Sequence, residues 1–163
     1  MAEKMTMFEY GFNLKGKRKF DVGEDLIGTF KAPESWEYPV YSGTPVDYDS
    51  SNAGFLKKTA DGALPEALLF SRVSNELRDI EMYESIVARD EVRLGENVAV
   101  LPFKKGAIIR TGLLADGYTP TAGDDIYIDG GKFSNTDQTA GSGVVVAKVI
   151  EVDVNGKVQL VLK

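Results

Sequence analysis

Short hydrophobic runs alternate with polar turn residues along most of the chain, which predicts β-strands rather than helices. Gly, Asn, Asp and Ser mark the turns between these runs. An Asn-Gly pair lies between apolar runs at 149–152 and 158–162, and this arrangement favours a two-residue hairpin. Other apolar runs fall at 67–70, 98–101 and 107–111. The pattern predicts a mainly β fold, of barrel or β-tulip type.

One sequence of turns and strands occurs twice. Residues 43–70 and 123–149 both begin with a glycine turn, continue through two short strands, and end in a glycine-rich turn and an apolar strand. Repeated short strand units of this kind build small barrels or sandwiches. We therefore predict that residues 38–163 form one β-rich domain that contains two similar turn-strand units.

The segment 74–88 departs from this rhythm. Leu77, Ile80 and Val87 recur at helical spacing, and Ser74 could cap the first turn. An alternating, strand-like pattern fits part of the same segment. Helix and strand therefore both stay open here, and with a helix the fold would be α+β with one short helix.

Residues 1–37 follow neither a helical nor a strand period. Aromatic and basic residues are mixed irregularly, and glycines and a proline interrupt any regular pattern. The segment is nevertheless rich in aromatic residues, which disordered segments usually lack. We interpret it as an extended N-terminal arm that becomes ordered against a partner.

The composition limits the chemistry that this protein can perform. The 163 residues include no histidine and no cysteine, which excludes a Ser-His-Asp triad, a cysteine nucleophile, and zinc bound by imidazole or thiolate. The formal net charge of −6 argues against bulk attraction to nucleic acid or anionic membranes. No apolar run is long enough to span a bilayer, and the N-terminus does not resemble a signal peptide. We expect a protein made in the cytoplasm, with no cofactor and no bound metal.

Carboxylates are the remaining candidates for catalysis. A glycosidase would need two of them facing each other at roughly 5–9 Å, but no spacing in the chain singles out a pair. Aspartate is also common in turns. We therefore predict that the protein is not an enzyme. The carboxylates considered are Asp47, Asp49, Asp124, Asp125 and Asp129.

A basic cluster at 15–19 lies between Phe12 and Phe20. Such a cluster could hold single-stranded nucleic acid through phosphate contacts and base stacking. Acidic residues on both sides dilute its positive field, however. This favours an acidic protein surface as the partner, and we expect no direct contact with nucleic acid.

The middle of the chain carries several short motifs in a fixed order. They are residues 44–51 (TPVDYDSS), 54–59 (GFLKKT), 61–63 (DGA), 67–70 (ALLF) and 98–110 (VAVLPFKKGAIIR). These motifs resemble the head decoration, or cement, proteins of lambda-like tailed phages, and the last of them resembles the strand-turn-strand that follows in that family. The resemblance covers roughly 44–111, and the motifs come in the order of the family. The second turn-strand unit and the segment 74–88 have no counterpart in it.

This resemblance implies a compact β-rich protein that trimerises on the outside of an expanded phage capsid. It implies the major capsid protein as partner, a virion location, and an N-terminal arm that adds to a sheet of the shell. With this family in view, we predict that aromatic and basic residues attach the protein to the shell. These residues are Phe8, Tyr10, Phe12, Lys15, Lys17, Arg18, Lys19 and Trp36.

An alternative function is a β-sandwich module that binds carbohydrate or a cell surface, displayed on a virion. It predicts exposed aromatic side chains on the domain body, for which Tyr118 and Tyr127 are the candidates. Aromatic residues offer a large contact area together with a polar handle. Trp36 has two interpretations of its own, as a core residue or as an interface anchor.

Overall fold

A computed structural model describes residues 9–14, 17–20, 27–37, 40–70, 91–92, 94–95, 97–154 and 156–163. Every regular element in these ranges is a β-strand, so the predicted mainly β fold is confirmed. No helix long and apolar enough to cross a membrane occurs in the described part of the chain. The helix or strand predicted at 74–88 lies outside the described residues.

The described ranges contain the following strands, given in chain order. They are β1 (Glu9–Leu14), β2 (Lys17–Phe20), β3 (Ile27–Lys31), β4 (Val40–Tyr41), β5 (Pro45–Tyr48), β6 (Leu56–Lys58), β7 (Ala67–Phe70), β8 (Glu91–Val92), β9 (Asn97–Pro102), β10 (Ala107–Thr111), β11 (Asp125–Asp129), β12 (Lys132–Ser134), β13 (Ala147–Val152) and β14 (Val158–Leu162).

These strands form two main antiparallel sheets and one small ladder. The larger sheet has seven strands in the order β12-β11-β13-β14-β10-β1-β2. The second has five strands in the order β3-β9-β7-β5-β6, and β4 pairs with β8 in a separate ladder. The predicted hairpin at the end of the chain is present as β13 and β14, which pair antiparallel.

The same five-strand arrangement occurs in both main sheets. We call β3, β5, β6, β7 and β9 the first unit, and β10, β11, β12, β13 and β14 the second unit. When the strands of each unit are numbered one to five along the chain, both sheets place them side by side in the order one, five, four, two, three. The first strand therefore lies at one end of each unit and the third strand at the other. The larger sheet is therefore the second unit extended by β1 and β2.

Matched hydrogen bonds support this equivalence residue by residue. The N–H of Gly43 donates to the carbonyl of Leu69 at 2.8 Å, and the N–H of Gly123 donates to the carbonyl of Val149 at 2.8 Å. Both glycines have a positive φ, of 93° and 96°, a conformation that glycine adopts without a steric penalty. The two turn-strand segments thus begin with the same turn.

Each unit also curls until its outer strands meet at one point. An isolated parallel bridge joins Lys31 to Phe55 in the first unit, and another joins Leu114 to Phe133 in the second. In the first unit the bridge connects the last residue of β3 with the residue just before β6, and in the second unit it connects a residue three positions after the end of β10 with β12. Both sheets are therefore curled, which gives a barrel-like fold whose interior is filled by side chains.

The hydrophobic core lies inside these curled sheets. One cluster is centred on the second unit and includes Phe133 and Leu160, while a smaller cluster fills the first unit around Leu56 and Leu69. The turn between β9 and β10 was predicted, and it joins the two units instead of closing a hairpin, because β9 pairs with β7 while β10 pairs with β14.

The described part of the N-terminal segment is extended, as predicted, but it forms strands for which the sequence shows no period. β1 pairs with β10 and with β2, and β3 pairs with β9. Backbone pairing at a sheet edge does not require strict side-chain alternation, because strand preference depends strongly on context. An irregular mixture of aromatic and basic residues can therefore form strands.

Candidate functional site

The predicted shell-attachment residues divide between the β1–β2 hairpin, the first unit and undescribed positions. Tyr10 and Phe12 lie on β1, where they pair with Ile109 and Ala107 of β10. The basic residues 17–19 lie on β2, the outermost strand of the larger sheet. Phe8 and Lys15 lie outside the described residues. The structure therefore places most of the predicted set along one edge of the second unit.

Trp36 lies apart from that edge in the sheet topology. It is half-buried and packs against the core cluster of the first unit together with Phe30, Tyr48 and Leu94. The Lys58 ammonium lies 5.5 Å from the centre of its ring, within the range of a cation–π contact. These contacts favour the core interpretation of Trp36 over that of an interface anchor.

Comparison of the two units identifies an open strand edge. In the second unit, the side of β10 that faces away from β14 pairs with β1. In the first unit, β3 holds the position of β10, and we call its side away from β9 the β3 edge. Within the described ranges, the only strand contact on this edge is the bridge from Lys31 to Phe55. Among the described residues, this edge therefore has backbone donors and acceptors that no strand pairs with, and such groups can pair with another strand.

The candidate carboxylates mostly hold turns together. Asp47 Oδ1 accepts from the Glu66 N–H at 3.0 Å, and Asp49 Oδ1 accepts from the Ser51 N–H at 3.0 Å. Asp124 Oδ2 accepts from the Tyr118 hydroxyl at 2.8 Å. These bonds give Asp47, Asp49 and Asp124 a structural role in local turns and side-chain contacts. No group of three or more acidic side chains in the described part of the chain is arranged to hold a metal ion.

A polar cleft opens at one end of the second unit. Its volume is about 310 Å³, at the lower end of the range for small-molecule sites. It is formed by the loop before β11, the end of β11 and the residues after β12. The lining residues are Asp116, Gly117, Tyr118, Thr119, Asp129, Ser134, Asn135, Thr136 and Gln138. The cleft therefore carries many hydroxyl, amide and carboxylate groups and one aromatic ring.

Hydrogen bonds fix the key side chains of this cleft. The Tyr118 hydroxyl donates to Asp124 Oδ2, which also accepts from the Thr121 N–H at 2.9 Å. Burial raises the pKa of Tyr118, and the hydrogen bond to Asp124 and the charge of that carboxylate raise it further. The phenol therefore stays protonated at neutral pH. On the opposite side, Gln138 Nε2 donates to Asp129 Oδ2 at 3.1 Å.

The loop that follows the cleft is organised by Asp137. Its carboxylate accepts from the Thr139 N–H at 2.9 Å, the Gly143 N–H at 2.9 Å and the Gly141 N–H at 3.0 Å. The Thr139 hydroxyl donates to it as well. These hydrogen bonds to Thr139 and the glycine N–H groups lower the pKa of Asp137. Ala140 in the same loop has φ of 55°, so a dense set of local bonds holds a strained turn beside the cleft.

Sequence reasoning found only part of this cleft. Tyr118 was a candidate for carbohydrate contact and lines the cleft, whereas Tyr127 does not. Asp129 was considered only as a catalytic carboxylate. Asn135 and Gln138 were missed, because in a turn-rich segment they are indistinguishable from ordinary turn residues. The sequence carries no signal for the cleft as a whole, since the curl of the sheet brings its parts together.

Comparison of the chain with protein-family models, with curated protein sequences and with solved structures finds no match. The residues and geometry described above are therefore the basis for a functional proposal.

Proposed function

We propose that this protein is a capsid decoration protein that binds the outer surface of an expanded phage head and stabilises it by bridging shell subunits. The major capsid protein would be its partner, and a homotrimer would be the bound form. The sequence resemblance over 44–111 motivates this proposal. The protein would act by binding, as a structural component of the virion.

The observation that carries the proposal is the difference between the edges of the two units. The pairing of β1 with β10 demonstrates that this edge of a five-strand unit accepts an added antiparallel strand. The β3 edge is its counterpart and carries no added strand among the described residues. Strand addition to a sheet edge is a common way to bind an extended segment, because main-chain hydrogen bonds supply the affinity. A strand of a shell subunit is a suitable occupant.

The basic strand β2 supplies a second contribution. Lys17, Arg18 and Lys19 follow one another on the outermost strand of the larger sheet, while the whole chain is acidic. Local positive charge on an acidic protein directs that edge toward an acidic partner surface. Many identical contacts on a repeating shell then add up to strong attachment, even when each contact is weak.

Binding to shells tests this proposal directly. The full chain is mixed with expanded, undecorated shells of the virus that encodes it, and co-sedimentation measures the bound fraction. The critical variant is Thr29→Pro. Lys31 directs its N–H away from β9, to the carbonyl of Gly54, which defines the side of β3 that an added strand would use. The register of β3 against β9 shifts between Ile27 and Phe30, so Thr29 lies in an irregular part of the strand, where proline is tolerated. Proline removes a backbone donor from β3.

Thr29→Val is the matched control, because it keeps the backbone N–H and favours the strand conformation. We expect Thr29→Pro to lose shell binding and Thr29→Val to retain it, with both variants folded by circular dichroism. Equal binding by the two variants would reject the role of the β3 edge. Failure of the unmodified chain to bind shells would reject the decoration function itself.

The carbohydrate-binding alternative rests on a separate feature, the polar cleft of the second unit, and is compatible with attachment to a shell. The cleft lies at the β11 and β12 end of the larger sheet, whereas β2 lies at its other end.

A further inference from the structure

We infer that the polar cleft of the second unit binds a neutral hexose unit of an oligosaccharide. This inference does not depend on the decoration function, because the cleft lies within one chain and its ligand can be tested in solution. It rests on the chemistry of the lining, the fixed positions of its side chains, and a comparison with the equivalent place in the first unit.

The lining matches the hydrogen-bonding capacity of a sugar. A hexose carries several hydroxyl groups, each of which can donate one hydrogen bond and accept others. Asp129 offers carboxylate oxygens, Asn135 and Gln138 offer amide groups that both donate and accept, and Thr119 and Thr136 offer hydroxyls. Hydrogen bonds to a carboxylate are stronger than those between neutral groups. Asp129 therefore provides the strongest acceptor for a sugar hydroxyl.

Tyr118 supplies the apolar contact that such a ligand also needs. It is half-buried, lines the cleft, and packs in part against the core cluster of the second unit. The bond from its hydroxyl to Asp124 holds the ring in place before any ligand arrives. An aromatic side chain that is already positioned loses little entropy on binding. The apolar C–H face of a hexose ring is a suitable partner for this ring.

The charges around the cleft select a neutral sugar. Asp116 and Asp129 both line it, and Lys132 Nζ lies 3.6 Å from Asp116 Oδ1. The Asp116 side chain is fully exposed, so this ion pair is weak. Two carboxylates nevertheless line the cleft against this one ammonium, and Asp129 is bonded only to a neutral amide. A uronic acid or another anionic sugar would bring a like charge to this carboxylate, which disfavours binding.

The first unit provides an internal comparison. Counted back equally from the matched glycines Gly43 and Gly123, Trp36 is the counterpart of Asp116. Trp36 packs with Phe30 and Tyr48 against the core of the first unit, whereas the Asp116 side chain is fully exposed. At this one position the first unit therefore has a packed aromatic ring where the second unit has a charged group lining the cleft.

Saturation-transfer difference NMR on the full chain tests the inference. The probes are maltose, cellobiose, lactose and N,N′-diacetylchitobiose, with digalacturonic acid as the charged comparison. We expect at least one neutral disaccharide to bind, and the acidic one to bind at least about tenfold more weakly, which corresponds to roughly 1.4 kcal/mol. No binding by any neutral probe at millimolar concentration would overturn the inference, and so would equal binding of the acidic probe.

Variants locate the site. Asp129→Asn and Gln138→Ala change exposed or half-exposed side chains, so both should fold, whereas Tyr118→Ala also removes a core contact. We expect Asp129→Asn to weaken binding of the neutral probe by about tenfold, the loss associated with a hydrogen bond to a charged group. Tyr127→Ala is the control, since Tyr127 does not line the cleft. Binding that is unchanged in Asp129→Asn and Gln138→Ala, or lost in Tyr127→Ala, would place the ligand elsewhere and overturn the inference.

Discussion

The contact between the two units can be tested by adding one methyl group at Gly62. The turn that contains Gly62 docks on the second unit: its N–H donates to the carbonyl of Ile128 at 3.0 Å, and its carbonyl accepts from the Val144 N–H at 2.8 Å. We predict that Gly62→Ala destabilises the protein strongly, because the backbone conformation and the available space both oppose a side chain here.

The expected magnitude follows from two separate contributions. Gly62 has φ of 70°, and a non-glycine residue in the left-handed region costs about 1–2 kcal/mol. A Cβ at this position would lie 2.6 Å from Thr139 Cγ2 and 3.1 Å from the Gly143 Cα. Thr139 cannot turn away freely, because its hydroxyl donates to Asp137. Overpacking of this kind costs about 1–3 kcal/mol, so the total loss of unfolding free energy is about 2–5 kcal/mol.

Gly54→Ala is the matched control for the backbone contribution. Gly54 has φ of 82°, and a Cβ added there would meet no atom within 4 Å. Its loss should be confined to about 1–2 kcal/mol. Urea denaturation of the two variants and the unmodified chain measures both losses, and thermal unfolding provides a second measure, with roughly 2–4 °C expected per kcal/mol for a chain of this size.

The difference between the two glycine variants is the critical quantity. We expect Gly62→Ala to lose about 1–3 kcal/mol more than Gly54→Ala, since only the first meets a neighbouring side chain. Equal losses would refute the close contact between the units at this turn. Adding Thr139→Ala to Gly62→Ala should recover part of the extra loss, because it removes both side-chain atoms nearest the new Cβ.

Three further changes probe the core, the cleft loop and Trp36. Phe133→Ala should cost about 3–5 kcal/mol of unfolding free energy, because Phe133 is fully buried. Phe55→Ala, at its half-buried counterpart in the first unit, should cost less unfolding free energy, and equal losses in urea denaturation would contradict this. The folded-state pKa of Asp137 is below its ordinary value of 3.8, so the ionised carboxylate stabilises the fold above pH 3.8 and this stabilisation is lost as the pH falls through the folded-state pKa. The difference in unfolding free energy between the unmodified chain and Asp137→Asn should therefore shrink as the pH falls below 3.8. A difference that stays constant down to the acid transition would refute the role of the ionised carboxylate. Lys58→Met should shift the fluorescence of Trp36, the one tryptophan, and cost about 0.5–1 kcal/mol, whereas Lys57→Met on the same strand should leave the emission unchanged.

Local patterns in the sequence were sufficient to predict the strand content. The hairpin of β13 and β14 was predicted from an Asn-Gly pair between apolar runs, and the two strands pair as predicted. Their connection is longer than a two-residue turn, because the Asp153 N–H donates to the Lys157 carbonyl at 2.9 Å and the Gly156 N–H donates to the Asp153 carbonyl at 3.1 Å. The turn between β9 and β10 was predicted as well. The sequence did not predict that this turn connects the two units. Which strand pairs with β9 and which with β10 depends on contacts with β7 and β14, which are distant in sequence.

The N-terminal segment illustrates the opposite limit. β1 has no strand pattern of its own, yet it pairs with β10 across most of its length. The partner strand supplies the hydrogen bonds that stabilise it, and such long-range pairing leaves no trace in local periodicity. Prediction of the cleft from the sequence is limited in the same way. Tyr118 was considered from the sequence, but Asn135 and Gln138 can be recognised as lining residues only once the structure shows them beside Asp129.

The amino-acid sequence by itself determined the strand-rich character, the positions of the glycine turns and the lack of histidine and cysteine chemistry. Each of these follows from composition or from residues close together in the chain. Only the tertiary structure decided that the strands form two units of the same spatial order and that a polar cleft opens at one end of the second unit. It also decided that, among the described residues, the β10 edge pairs with β1 while the β3 edge carries no added strand. The physical reason is that sheet pairing and curl join residues that are far apart in the chain, and their free energy depends on the whole set of partners rather than on any local pattern.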